Sequence, residues 1–153
     1  GPAPLRVTKT LTIARDVPRI DAEYRIVNDS DRPVQVRFGV DFALNFLAGD
    51  APDRYYRVDN EKTVPPRLNA TGTHESVRRF AIVDEWLGVE ARITADERMD
   101  LWRFPIETVS ISEGGFERVY QGSILFPHTL LDLEPGTPRV LGLRYEILEH
   151  PAE

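Results

Sequence analysis

Apolar and polar residues alternate with a period of two along most of this chain. Segment 5–13 alternates leucine, valine and isoleucine with threonine and arginine, and segment 20–26 carries Asp21, Glu23 and Arg25 on its polar side. Successive side chains of a strand point to opposite faces, so each pattern predicts a half-buried β-strand. No segment keeps a 3.6-residue period for three turns, which argues against long helices.

The rest of the chain continues this pattern between recognisable turns. A long strand is predicted at 34–47, after the polar cluster 28–33, and Pro135-Gly136 is predicted to form the last hairpin turn. Further strands are predicted at 77–85, 89–95, 99–104, 106–111, 116–126 and 140–148. Between 48 and 73 the alternation fails, which predicts a long loop, and loops of this length are usually functional or mobile.

Many strands joined by short turns predict an all-β fold, an antiparallel β-sandwich of roughly ten or more strands. We expect residues 5–150 to form a single domain, because 153 residues are enough to bury one core. Residues 1–4 are interpreted as a flank that begins with Gly1-Pro2, a remnant of protease cleavage.

Composition excludes several classes of partner. The net charge of -6 and the pI of about 5.1 disfavour binding to nucleic acid. The absence of cysteine excludes disulfides and thiolate metal sites. No apolar run of about 18 residues and no leader pattern is present, so neither a membrane span nor a signal peptide is expected. The absence of cysteine does not determine the cellular compartment, and the cytoplasm is favoured.

One face of the predicted strand 34–47 has the residue types of a sugar-binding surface. Arg37, Asp41 and Asn45 recur every four residues, and Gly39 and Ala43 between them leave room above the sheet. Planar groups of this kind form paired hydrogen bonds with sugar hydroxyls. The alternative is a solvated or interdomain sheet face, since antiparallel sheets commonly have a polar side.

Segment 104–122, with the sequence FPIETVSISEGGFERVYQG, concentrates polar groups between apolar strands. Glu107 and Glu113 share a face of an extended strand at a separation of about 20 Å, too far for a two-carboxylate glycosidase mechanism. A hairpin at Gly114-Gly115 would bring Glu113 close to Glu117. Three interpretations are open: a buried turn that docks onto another domain, a saccharide contact and, least favoured, catalysis.

Five aromatic residues are candidates for stacking on sugar rings, namely Tyr55, Tyr56, Trp86, Trp102 and Phe116. Trp86 is expected at an exposed hairpin turn, whereas Trp102, flanked by Leu101 and Phe104, is expected to be packed. The adjacent tyrosines point to opposite faces if extended, so one is expected to be buried and the other to project.

Metal sites are only weakly indicated. Oxygen ligands for a structural calcium ion are available from Asp41, Asn45, Asp50, Asp53, Asp59 and Asn60, but their spacing matches no defined calcium loop. No other cofactor is expected. His74, His128 and His150 are widely separated, which gives no support to a zinc site or a catalytic triad.

Segment 104–122, together with LAGDAPDRYY at 47–56, resembles the C-terminal β-sandwich domain of glycoside hydrolase family 57 enzymes, the amylase-like and 4-α-glucanotransferase group. The resemblance implies a galactose-mutarotase-like sandwich and a catalytic (β/α) barrel elsewhere in the parent enzyme. Such a barrel needs roughly 200 residues or more, so this chain alone is not expected to be an enzyme.

Two functions are therefore compatible with the sequence. The first is a non-catalytic accessory domain that binds α-glucan or maltooligosaccharide chains, and the alternative is a structural domain that packs against the catalytic barrel and stabilises it. An independent mutarotase-like or hydrolytic enzyme is the weakest hypothesis. The predicted carbohydrate-binding residues are Asp41, Asn45, Tyr55, Tyr56, Trp86, Glu113, Glu117 and Gln121.

Overall fold

A computed structural model describes residues 4–112 and 115–150 of the chain. Gly1, Pro2, Glu113 and Gly114 lie outside the described residues, so the approach of Glu113 to Glu117 stays a prediction. Within this part of the chain ten strands follow one another: β1 (Leu5–Ile13), β2 (Arg19–Asn28), β3 (Val34–Gly39), β4 (Phe42–Leu44), β5 (Arg54–Val58), β6 (Glu61–Lys62), β7 (Gly72–Asp84), β8 (Val89–Ser112), β9 (Gly115–Leu133) and β10 (Pro138–Glu149). None of the described residues forms a helix, so no helical membrane span occurs among them.

The strands pair antiparallel and form two packed layers. The first layer has the order β1-β2-β10-β8-β7-β5-β6, and in the second layer β9 pairs with β3, β4 and β8. The 24-residue β8 belongs to both layers, because its first part pairs with β10 and its second part with β9. Register shifts between His74 and Val77 and between Val77 and Arg79 interrupt the β7–β8 ladder, and such bulges bend a strand pair.

The hydrophobic core lies between the two layers. Side chains from β2, β7, β8 and β10 pack against β9 and the partly buried apolar residues of β3 and β4. Tyr24 of β2 contacts Phe38 of β3 edge to face, with ring centroids 5.4 Å apart. The members with the least exposure are Tyr56, Leu68, Phe80, Ile82, Ile93 and Leu101. The architecture confirms the predicted all-β antiparallel sandwich, and Ala22, Tyr24 and Ile26, which the alternation assigned to the apolar side of β2, are buried.

The prediction of a half-buried first strand is wrong. β1 forms where expected, but all nine of its residues are exposed. Among the described strands β1 pairs only with β2, at the edge of the first layer. Its apolar side chains are therefore left uncovered, and Ile13 is 75% exposed.

Several predicted boundaries are also wrong, because pairing partners are distant in sequence. The predicted strand 34–47 splits into β3 and β4, and the predicted loop 48–73 contains β5, which pairs with β7. The predicted strands 89–95, 99–104 and 106–111 are one continuous strand, β8. The turn at Pro135-Gly136 does not close a hairpin, since β9 and β10 do not pair with each other. It carries the chain from one layer to the other.

Candidate functional site

The ends of β8 and β9 extend beyond both layers as a two-stranded ribbon, formed by residues 106–112 and 115–122. Ser110 lies opposite Glu117, and Ile111 lies opposite Phe116. Strand alternation places Ile111 and Phe116 on one face, where they are 79% and 80% exposed. Thus the sequence segment richest in polar groups also carries uncovered apolar side chains.

The loop 48–50 and Asn69 pack against the root of this ribbon and form an open cleft of about 460 Å³. Gly49 allows this approach, because a Cβ atom at this position would lie 2.5 Å from the ring of Tyr120. The Asn69 amide N–H donates to the Gly49 carbonyl oxygen at 3.0 Å. We call this the hairpin-root cleft, and its lining residues are Ala48, Gly49, Asp50, Asn69, Glu107, Glu117, Arg118, Val119 and Tyr120.

A chain of buried hydroxyl groups fixes the floor of the hairpin-root cleft. The Tyr120 hydroxyl lies 2.7 Å from Ser123 Oγ, and the Tyr56 hydroxyl lies 2.7 Å from the same oxygen. Tyr56 donates to the Leu68 carbonyl oxygen at 2.9 Å. Burial raises the pKa of Tyr56 to about 12 and also raises the pKa of Tyr120. Both tyrosines therefore keep their protons, and the loop before Asn69 is tied to β9.

Arg103, which the sequence analysis did not identify as a functional candidate, holds the loop 65–70 from the other side. It is 1% exposed, and it donates to the carbonyl oxygens of Ala70 at 3.0 Å and Pro65 at 2.9 Å. Its Nε donates to Nε2 of His74 at 3.1 Å, and its guanidinium lies 4.7 Å from the Tyr56 ring centroid. Burial, followed by the charge of Arg103, lowers the pKa of His74. A neutral His74 can accept this hydrogen bond.

The polar groups of the hairpin-root cleft are suited to hydrogen bonding. The side chains of Asp50, Asn69 and Glu117 are exposed, and Glu107 lies 3.6 Å from Arg118. Carboxylates and amides of this kind bind hydroxyl groups, often in pairs. Strand alternation puts Glu107 and Glu117 on opposite faces of the ribbon, so they do not face each other across one bond as glycosidase carboxylates do.

Three of the predicted carbohydrate-binding residues come together near this cleft. Glu117 lines it, and the Gln121 amide lies 3.3 Å from Thr108 Oγ1 on the same ribbon. Asn45 lies at the ribbon root, because a Cβ atom on Gly122 would be 2.6 Å from its Oδ1 atom.

Asp41 and Trp86 lie elsewhere. Asp41 follows β3 and lines a different groove, of about 370 Å³, with Leu11 and Tyr145. Trp86 is 76% exposed in the turn between β7 and β8, as its position in the sequence predicts. That turn lies at the opposite end of β8 from the ribbon.

The expectation that one of the two adjacent tyrosines projects is wrong, because both are buried. β5 pairs with β7, so Tyr56 enters the core and Tyr55 lies on the other face of the sheet. Lys62 covers that face, with its Nζ 3.7 Å from the Tyr55 ring centroid. Neither tyrosine therefore offers a free ring to a sugar.

The expectation that Trp102 is packed is also wrong, since Trp102 is 42% exposed. Leu101 and Arg103 occupy the inner face of β8, which turns Trp102 and Phe104 outward. The flanking apolar residues therefore gave a misleading signal.

The carboxylates considered for calcium do not gather. Asp53 pairs with Arg54 at 3.0 Å, and Asp59 accepts hydrogen bonds from the backbone amides of Arg78 and Arg79. Within 4–112 and 115–150, no group of three or more histidine or acidic side chains is arranged to hold a metal ion.

Comparison with solved structures agrees with the observed architecture. The 4-α-glucanotransferase from Thermococcus litoralis superposes with a TM-score of 0.64 at 21% identity, over 94% of this chain and 18% of that one. A putative aldose 1-epimerase from Escherichia coli superposes with a TM-score of 0.70 at 10% identity, over 97% of this chain and 62% of that one. A galactose mutarotase related enzyme from Lactobacillus acidophilus gives a TM-score of 0.67 at 8% identity, over 99% of this chain and 64% of that one. These likenesses confirm the galactose-mutarotase-like fold.

Comparison of sequences identifies the family. Alpha-amylase 1 from Dictyoglomus thermophilum is 39% identical over 129 residues, which cover 84% of this chain and 18% of the relative. The 4-alpha-glucanotransferase from Thermococcus litoralis is 28% identical over 127 residues, which cover 81% of this chain and 16% of the relative. The chain thus spans less than a fifth of either relative. A family profile described as "Alpha-amylase/4-alpha-glucanotransferase, C-terminal" matches residues 1–138. This confirms the resemblance seen in the sequence, and the chain belongs to the alpha-amylase/4-alpha-glucanotransferase C-terminal family.

Proposed function

We propose that this chain is a non-catalytic accessory domain of an α-glucan-active enzyme and that it contacts glucan chains at the hairpin-root cleft. One observation carries the proposal. The two sequence segments behind the family resemblance, 47–56 and 104–122, are far apart in the chain, yet they line the same open cleft through Gly49, Asp50 and Glu117. Names of the relatives, an α-amylase and a 4-α-glucanotransferase, indicate α-glucan as the ligand class.

The chemistry of the cleft supports a saccharide. Its volume of about 460 Å³ lies within the usual range for small-molecule sites, and its lining includes the side chains of Asp50, Asn69 and Glu107, which can form hydrogen bonds with hydroxyl groups. Asp50 and Asn69 supply exposed planar groups above a floor held by Tyr120, and Glu117 borders the cleft from the other face of the ribbon. The cleft is open and water competes for each hydrogen bond, so we expect dissociation constants on the order of 0.1 to 1 mM.

Titration calorimetry with maltoheptaose tests the proposal. The double variant Asp50→Ala/Glu117→Ala should bind at least about tenfold more weakly than the unchanged chain, because each exposed hydrogen bond contributes about 0.5–1.5 kcal/mol. Both side chains are exposed, so the fold should persist. Glu61→Ala, an exposed carboxylate on β6, is the matched control and should bind normally. Equal affinity of the double variant and the unchanged chain would refute this site.

A second candidate function is a structural one, favoured by the apolar face of the ribbon. Ile111 and Phe116 are about four-fifths exposed, and Val109 on the same face is also exposed. A two-stranded ribbon alone is marginally stable in water, and exposed apolar patches usually mark contact surfaces. The relatives have over four-fifths of their length outside the matched region, so the covering partner would be the catalytic barrel. Absence of maltoheptaose binding at millimolar concentration by the folded chain would favour this function.

A further inference from the structure

An aromatic cluster occupies the outer face of the second layer, away from the hairpin-root cleft. Trp102 of β8 lies opposite Phe126 of β9, and His128 lies two residues further along β9. Phe104 lies two residues after Trp102 on the same face of β8, and Arg37 of β3 lies beside the Trp102 ring. We call these five residues the tryptophan platform.

Packing holds the platform in one arrangement. The rings of Trp102 and Phe126 are nearly parallel, at 19° with centroids 5.8 Å apart, and His128 lies 4.3 Å from Trp102. Gly39 makes room for this stack, because a Cβ atom there would lie 2.5 Å from the Phe126 ring. An exposed aromatic side chain that is already ordered loses little entropy when it binds a ligand.

Hydrogen bonding also fixes the polar side of the platform. Arg37 Nη1 lies 2.8 Å from His128 Nδ1, and arginine can only donate. Nδ1 is therefore the acceptor, and the neutral ring carries its proton on Nε2. His128 is 2% exposed, and its Nε2 has no hydrogen-bond partner in the part of the chain that the structure describes. Burial, followed by the charge of Arg37, lowers the pKa of His128, consistent with a neutral ring.

Hydroxyl groups border the exposed aromatic surface. Thr73 pairs with Trp102 across β7 and β8, and Thr71 and Thr73 line a shallow groove of about 330 Å³ with Trp102 and Phe104. The two aromatic residues face the same way, roughly 6.6 Å apart along the strand. The groove thus combines aromatic surface with nearby hydroxyl donors, and Arg37 adds a guanidinium at 5.9 Å from the Trp102 ring.

We propose that the tryptophan platform is a second saccharide contact, which binds the pyranose rings of an α-glucan by stacking on Trp102. A pyranose has apolar C–H faces and hydroxyls at its rim, so it matches an aromatic surface bordered by Arg37 and Thr73. The choice of α-glucan rests on the proposed function. The location of this second contact is independent of the proposed function, because the platform and the hairpin-root cleft share no lining residue. Trp86, the stacking residue expected from the sequence, is exposed beside Leu87 in a turn and is not part of this platform.

The two tryptophans of the chain allow a direct test by fluorescence. Trp86→Phe leaves Trp102 as the only tryptophan, and Trp102→Phe leaves Trp86. Titration with maltoheptaose should change the emission of the Trp86→Phe variant with a saturable dependence, whereas the emission of the Trp102→Phe variant should stay constant. Sorbitol at matched concentration is the control for solvent effects and should change neither.

Calorimetry separates this proposal from the first one. Trp102→Ala and Arg37→Ala should each weaken maltoheptaose binding several-fold. Arg37 is exposed and its loss removes one hydrogen bond, to His128, so circular dichroism should still show a folded chain. If maltoheptaose binds, but the Trp102 emission does not change and both Trp102→Ala and Arg37→Ala bind with unchanged affinity, sugar binding at the platform is refuted. Binding at the hairpin-root cleft is then still supported. If the Trp102 emission changes but Asp50→Ala/Glu117→Ala binds maltoheptaose normally, binding at the platform is supported and binding at the hairpin-root cleft is refuted. Self-association that is lost in Trp102→Ala, without sugar binding, would overturn the platform in favour of a protein contact.

Discussion

Replacing Arg103 by methionine should lower the free energy of unfolding by about 3 kcal/mol. Its guanidinium donates to two backbone carbonyl oxygens, those of Pro65 and Ala70, and hydrogen bonds to charged groups contribute about 1.5–3 kcal/mol each. Methionine fills a similar volume but leaves both carbonyl groups unpaired in a buried site. Urea unfolding followed by circular dichroism measures the change.

Arg139→Met is the matched control, because Arg139 is an exposed arginine that pairs with Glu97 at the surface. Surface ion pairs contribute roughly 0–1 kcal/mol, so this variant should be nearly as stable as the unchanged chain. A similar small loss for Arg103→Met would contradict the assignment of Arg103 as the residue that holds the loop 65–70 against the sheet.

Gly49→Ala should destabilise the chain by about 2 kcal/mol, because overpacking a close contact typically costs 1–3 kcal/mol. The added Cβ atom would lie 2.5 Å from the Tyr120 ring, and Gly49 has no positive φ that would add backbone strain. To relieve the collision, Tyr120 must move away from Ser123 and disturb the floor of the hairpin-root cleft.

A double-mutant cycle isolates this contact. In a Tyr120→Leu background the ring is absent, so Gly49→Ala should be close to neutral, and the two substitutions should show a coupling energy of about 2 kcal/mol. Chemical unfolding of the four proteins gives the cycle. Equal effects of Gly49→Ala in both backgrounds would show that the loop 48–50 is not packed against Tyr120.

Most strands were predictable from the sequence, because the period-two pattern reflects a local property of extended chains. The pattern fails where apolar residues occupy both phases, as in Leu101, Trp102, Arg103 and Phe104. Arg103 can face inward only because carbonyl groups from the distant loop 65–70 accept its hydrogen bonds. Nothing near Arg103 in the sequence indicates these partners, so the exposure of Trp102 was not predictable.

Prediction of the candidate sites from the sequence was limited in the same way, because contacts between distant segments are not visible in a local pattern. The sequence identified segments 47–56 and 104–122, and it identified Trp86 as exposed from its turn. It did not show that the two segments meet, because Gly49 and Tyr120 come together only through the fold. The tryptophan platform combines β3, β8 and β9, and its geometry depends on Gly39, which the sequence marked only as a small residue.

Residue-resolved NMR titration with maltoheptaose tests the glucan contact most directly. We expect chemical shift changes that saturate at millimolar sugar and cluster at the backbone amides of 48–50, Asn69 and 117–120, the segments that form the hairpin-root cleft. A second cluster of chemical shift changes around Trp102 would indicate sugar binding at the tryptophan platform. Absence of any shift change at millimolar sugar, or changes confined to the turn that carries Trp86, would contradict glucan binding at the hairpin-root cleft.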